Sequence, residues 1–138
     1  MIGAVLVPGA TSPRLVTAEM IRSMRPGSVL VDVAIDQGGC FETSKPTTHN
    51  SPTYTIEEIV HYCVANMPSG VARTSTLALN NATLPFVLEI ANKGYRQALL
   101  ENIHLLNGLN VCFGEVTCEP VAKNLGYHFT APQHLLNL

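Results

Sequence analysis

The stretch SVLVDVAIDQGGCFETSKPTTH, residues 28–49, begins as an apolar run and ends with an acid, two glycines and a train of hydroxyl residues. Its first seven residues read as a strand buried on both faces of a sheet. Asp36 then falls just past the strand end, where Gly38 and Gly39 permit positive φ and a close approach to the backbone by something flat or bulky. A carboxylate delivered to that position is able to accept hydrogen bonds from a ligand. The same DQGG reads equally well as an ordinary turn with Asp36 as a cap, because Gly and Asp dominate turns.

Working outward, IGAVLV at residues 2–7 is a second short apolar run, closed by Pro8 and Gly9. Between the two runs Thr17 is placed to cap a helix TAEMIRSM, with Glu19 in the first turn, Ile21 and Met24 on one face, and Pro26-Gly27 as the stop. A polar, proline-containing loop is expected over residues 38–53, followed by a third apolar run, IVHYCVA at residues 59–65, that ends at Asn66, Met67 and Pro68. As parallel strands with right-handed crossovers, the three runs bring VPGA, AIDQGG and ANMPSG to one edge, the edge where open α/β sheets bind ligands.

Beyond residue 72 the pattern changes. Leu77, Leu84, Val87, Leu88 and Ala91 recur at helical spacing, Pro85 is positioned to break or kink the helix, and Gly94 is placed as its carboxyl cap. Residues 95–109 continue helical, residues 110–119 read as a small extended or hairpin piece, and residues 131–138 as a short amphipathic helix. The chain is thus expected to divide into an α/β part, residues 1–72, and a mainly helical part, residues 73–138.

Composition narrows the function classes. The 138 residues carry a formal charge of −2, too little positive charge to neutralise a row of phosphates, which argues against nucleic acid. No apolar run reaches the roughly 18–20 residues of a membrane span, and no signal-peptide pattern opens the sequence, so the cytoplasm is the expected compartment. Charged residues are 13% of the chain against about 25% in a typical domain, a thin polar surface that predicts contact with further chain or with other subunits.

Cys40, Cys63, Cys112 and Cys118 lack close pairing and read as free thiols. A zinc site from Cys40, Cys63, His49 and His61 is imaginable, but it lacks closely spaced ligand pairs and no metal is expected. His61 reads as a satisfied core histidine. His104, His128 and His134 are scattered, with no arrangement that suggests a nucleophile. Lys45 reads first as a solvated loop lysine, with contact to a phosphate or pyrophosphate as the sharper alternative. A G-x-G-x-x-G fingerprint is absent from the sequence.

The long segments IGAVLVPGATSPRLVT, MRPGSVLVDVAIDQGGCFETSKPTTH and HYCVANMPSGVARTSTLALNNATLP, with IANKGY after them, resemble the carboxyl-terminal part of bacterial alanine dehydrogenase, in the same order. The related nucleotide-binding domain of proton-translocating transhydrogenase resembles the strand ending in an acid and two glycines, less closely. The resemblance implies the second half of a Rossmann-like parallel sheet followed by a carboxyl-terminal share of a substrate domain. It implies NAD as cofactor, L-alanine and pyruvate as substrate and product, and a homo-oligomer. Asp36 corresponds by that resemblance to the active-site aspartate, assisting proton transfer beside the nicotinamide ribose. Val5, Leu6, Val33, Ala34, Ile35, Asp36, Val64, Ala65, Asn66 and Met67 would line the cofactor, and Lys45 would be a basic cofactor contact. Family members are considerably longer. The substrate arginine, the catalytic lysine and histidine, the glycine-rich turn and the acid that selects the adenine ribose are expected outside these residues, so that the chain reads as a piece with negligible activity of its own. A non-catalytic oligomerisation or nucleotide-binding module, or a transhydrogenase-related domain, are the alternatives.

Overall fold

A computed structural model describes residues 1–136. The chain divides into two compact units, Met1–Val71 and a second beginning at Ala72.

The first unit is built on a four-stranded sheet. Strand β1 is Ile2–Gly3, helix α1 is Ala18–Arg22, β2 is Val29–Asp32, β3 is Thr53–Ile56 and β4 is Ile59–Tyr62. The strand order is β1-β2-β4-β3, with β1, β2 and β4 mutually parallel and β3 antiparallel to β4. Thr17 caps α1 as expected, its hydroxyl accepting from the Met20 N–H. The three parallel strands are those anticipated, though shorter: residues 4–7 leave the sheet after Gly3, and residues 33 and 34 enter a 3₁₀ turn, Val33–Gln37, instead of prolonging β2.

Strand β3 corrects the expectation of a simple loop followed by one strand. It pairs with β4 through the two-residue turn Glu57-Glu58, whose φ angles are 52° and 60°. Such turns favour Asn-Gly, so two glutamates gave no hairpin signal. The core of this unit is formed by Ile21, Leu30, Ala34, Cys40, Phe41 and Ile59, with Val5, Val16 and Met24 packed against it. Gly3 makes that packing possible: a Cβ there would lie 2.1 Å from Cys40 Sγ and 2.7 Å from the Phe41 ring.

The second unit opens with helix α2, Ala72–Lys93, which passes through Pro85 without ending, so that of the expected break or kink the break does not occur. Pro85 has no N–H to give the preceding turn, and close by the Thr83 hydroxyl donates to the Leu79 carbonyl at 2.9 Å. Gly94, with φ of 76°, ends α2 and leads into α3, Tyr95–Glu101. The expected continuous helix over residues 95–109 is interrupted at Asn102, whose side chain accepts from the N–H groups of His104 and Leu105 and so begins α4, Ile103–Asn107. The anticipated hairpin is present as β5, Val111–Cys112, and β6, Glu115–Val116.

Helix α5, Glu119–Leu125, was not foreseen, although Pro120 near its start and a left-handed Gly126 at its end are the proper signals. Helix α6 is Pro132–Leu136; residues 137 and 138 of the expected terminal helix lie outside the described residues. Leu99, Leu106 and Leu136 form the core of the unit. Among the described residues no helix is long and apolar enough to cross a membrane.

Candidate functional site

The register Gly3 with Asp32, and Val31 with Tyr62, sets the carboxyl ends of β1, β2 and β4 level with one another. The segments that follow them therefore share one edge of the sheet. Leu6 is 67% exposed there, Val33 48% exposed, and Asp36, Ala65 and Asn66 are open to solvent. Asn66 holds a left-handed φ of 58°, and its carbonyl accepts from the Ser69 N–H and hydroxyl. Val5 and Met67 are half-buried, whereas the side chains of Ala34, Ile35 and Val64 are buried in the unit itself.

The foundation of the edge is Asp32, which sequence reading passed over. It is fully buried, and its carboxylate is surrounded by neutral donors. Oδ1 accepts from the Ala34 N–H at 3.1 Å and from the Cys40 thiol at 3.4 Å. Oδ2 accepts from the Cys40 N–H at 2.9 Å and from the Ser44 hydroxyl at 2.5 Å. An acid inside VLVDVA was the available signal, since a buried carboxylate must collect donors. Burial, reinforced by the hydrogen bond to Asp32, pushes the Cys40 thiol up to about 11.

The two glycines play different parts. Both have positive φ, 100° at Gly38 and 80° at Gly39. A Cβ on Gly38 would meet nothing within 4 Å, so the backbone is open to an approaching group at that point. A Cβ on Gly39 would stand 2.9 Å from Asp32 Oδ2 and 2.9 Å from the Ser44 Cβ. The close approach that Gly39 allows is therefore made by the chain's own carboxylate.

Lys45 is exposed on the returning loop, with Nζ 4.5 Å from the centre of the Tyr54 ring and its backbone N–H donating to the Tyr54 hydroxyl at 2.9 Å. Tyr54 in turn stacks on His61 at 4.8 Å between ring centres, and burial with a contact to Cys63 drives its phenol well above the ordinary value. His61 is the satisfied core histidine expected: Nδ1 lies 2.9 Å from the Ile59 carbonyl and Nε2 2.7 Å from the Thr43 hydroxyl. Past Lys45 the chain joins the end of β4, Thr47 donating to Cys63 and accepting from Ala65. All four cysteines are free, and among the described residues no three His, Cys, Asp or Glu side chains gather as a metal site.

Known proteins share this arrangement. The family model described as alanine dehydrogenase/PNT, C-terminal domain, matches residues 1–119. An alanine dehydrogenase of Halomonas elongata is 60% identical over 99% of this chain, and one of Mycobacterium tuberculosis is 53% identical over 99%. In both cases the chain spans 37% of the relative's length. A solved L-alanine dehydrogenase superposes with a TM-score of 0.74 at 50% identity, over 91% of this chain and 34% of that one. A transhydrogenase from Sinorhizobium meliloti superposes over only 55% of this chain, at 34% identity and a TM-score of 0.50. The mostly parallel sheet, the helices that follow it and the match across 119 residues agree, and the chain belongs to the alanine dehydrogenase/PNT family.

Proposed function

We propose that this chain is the carboxyl-terminal portion of a cytoplasmic, homo-oligomeric, NAD-dependent L-alanine dehydrogenase, which deaminates L-alanine oxidatively to pyruvate and ammonia. The observation that carries the reading is the exposed Asp36 carboxylate, borne on the turn after β2 at the carboxyl edge of three parallel strands. The residues present fit the nicotinamide ribose end of the cofactor: Leu6 and Val33 offer exposed apolar surface, and the open side of Gly38 leaves backbone accessible. NAD, when bound, supplies the hydride acceptor. Asp36 accepts hydrogen bonds from hydroxyl groups at that end and gives or takes a proton as water adds to the imine carbon and ammonia leaves. Leu6 and Val33 give the cofactor an apolar surface to pack against. Lys45 supplies positive charge toward the phosphates, leaving the face of Tyr54 to do so.

Substrate-holding and pyrophosphate-holding groups are assigned to the part of the family's length that these residues do not span, so the 138-residue chain alone turns over alanine at a negligible rate. The test is a hybrid in which residues 1–138 replace the matching carboxyl-terminal share of the Halomonas elongata enzyme. Alanine-dependent NADH formation is expected, and Asp36→Asn is expected to lower kcat by about 10²–10⁴-fold. An Asp36→Asn hybrid that runs at the unsubstituted rate refutes the assignment.

One observation favours a second reading, a non-catalytic association module: none of the 22 residues of α2 is buried, and Leu77, Leu79, Val87 and Leu88 are at least half exposed. Exposed apolar side chains in that number promote association. Light scattering after size exclusion decides it, since a stable monomer of the 138-residue chain removes the support.

A further inference from the structure

Asp32 invites a question that packing does not answer. A carboxylate fully buried among neutral donors is costly to desolvate, and a well-packed apolar residue of similar volume would serve a sheet strand at least as well. Its bonds are also not those of a helix cap alone. Capping the turn Val33–Gln37 uses Oδ1 and the Ala34 N–H. The second oxygen is taken by residues 40 and 44, beyond that turn. Gly39 is moulded to the same oxygen, with room for no side chain between Oδ2 and Ser44. One carboxylate thus joins the start of the turn that carries Asp36 to the loop that leads to Lys45.

We propose that Asp32 is the positioning residue for Asp36: its buried carboxylate ties the Asp36 turn to the loop at residues 39–44 and so fixes where the Asp36 carboxylate stands at the sheet edge. The inference rests on the reading of Asp36 as the catalytic residue. Backbone bonds also hold the turn: Gly38 N–H to the Ile35 carbonyl at 3.1 Å, Gly39 N–H to the Ala34 carbonyl at 3.0 Å, and Ser12 N–H to the Gln37 carbonyl at 2.8 Å. None involves the Asp32 side chain, so the Gly38 and Gly39 amides report the turn without reporting the carboxylate directly.

Amide hydrogen exchange on the 138-residue chain reads this. Asp32→Asn is expected to speed exchange at Gly38 and Gly39 by about ten- to a hundredfold, the scale of losing hydrogen bonds to a charged acceptor. Exchange at Val60 and Thr47, whose amides are bonded to the Ser28 and Cys63 carbonyls, should stay unchanged. Ser44→Ala removes one donor and leaves the carboxylate in place, so it keeps the test open where Asp32→Asn does not fold; a smaller acceleration in the same two amides is expected. Unchanged exchange at both glycines overturns the proposal, and so does an equal acceleration at Val60 and Thr47, which would mean general loosening.

In the Halomonas hybrid the same variant should lower kcat by about tenfold or more with the KM for NAD little changed, and Asp32→Asn with Asp36→Asn together should be no slower than Asp36→Asn alone. Additive losses contradict positioning. If Asp36→Asn leaves the hybrid's rate intact, the catalytic reading fails, while exchange at the two glycines still decides whether Asp32 holds the turn.

Discussion

The stretch from Asp32 to Ser44 and the helix α2 are opposites. The first has only the last residue of β2 and one short 3₁₀ turn, yet it buries Asp32, Ala34, Ile35, Gly39, Cys40 and Phe41. The second is 22 residues of unbroken helix with no buried residue. A helix satisfies its own backbone and needs a neighbour only for its side chains. An irregular turn cannot close its own hydrogen bonds and must borrow acceptors, here a buried carboxylate. Regularity and firmness are separate properties, and in this chain the irregular stretch is the one held from all sides.

The largest expected effect tests that contrast directly. Phe41→Ala should destabilise the first unit by about 3–5 kcal/mol in urea unfolding, as cavity-forming core changes do. Leu88→Ala in α2, half exposed, should change stability by about 0.5 kcal/mol or less. Equal losses would show that α2 is packed after all.

Alkaline pH sharpens it. The Cys40 thiol is raised from 9.0 to about 11 in the folded chain, so the unfolded chain loses its proton first as pH rises. Stability is complete below pH 9 and falls between 9 and 11, by a few kcal/mol at most, on the order of 1.4 per unit. Tyr54 is raised in the same direction and adds to the fall above its ordinary value. Unfolding free energies across that range should flatten in Cys40→Ser and flatten further with Tyr54→Phe added. A wild-type curve already flat would mean that the thiol is not confined as described.

Gly3→Ala presses on the same packing from β1, where its methyl would meet Cys40 and Phe41; about 1–3 kcal/mol of overpacking strain is expected in the same unfolding assay. The smallest effect belongs to the second unit. Lys93 reaches Glu89 at 2.9 Å and Glu101 at 2.8 Å, all three groups exposed enough for solvent to screen them. Lys93→Met should lower Tm slightly at low salt and not measurably at about 1 M salt.

Legibility in the sequence followed the same divide. The three parallel strands were visible because continuous apolar runs between turn residues have few other readings, and α1 because Thr17 and Pro26-Gly27 bracket it. Helix α2 was visible from periodicity, yet nothing in that periodicity foretold that its apolar residues would be exposed. Asp36 stood out because glycines follow it. Asp32 did not, since an acid within an apolar run is explained only by donors arriving from eight and twelve residues further on. Gly39 takes the positive φ expected of it, but the group that approaches it is Asp32, seven residues back along the chain. Strand β3 and helix α5 were missed where the local chemistry was weak, in a Glu-Glu turn and in a seven-residue helix.

The Glu57-Glu58 turn has a consequence for how quickly the sheet assembles. The hairpin of β3 and β4 joins neighbouring residues, Ile56 with Ile59, whereas β1 with β2 and β2 with β4 must first bring together residues such as Ile2 with Val31 and Val29 with Val60. Local pairs form in microseconds and distant ones wait on loop closure, so the hairpin is the natural nucleus. Its turn is built from two residues that resist left-handed backbone. Replacing Glu57-Glu58 by Asn-Gly should raise the refolding rate more than it slows unfolding, so that a two-residue corner far from Asp36 in sequence sets the pace of folding.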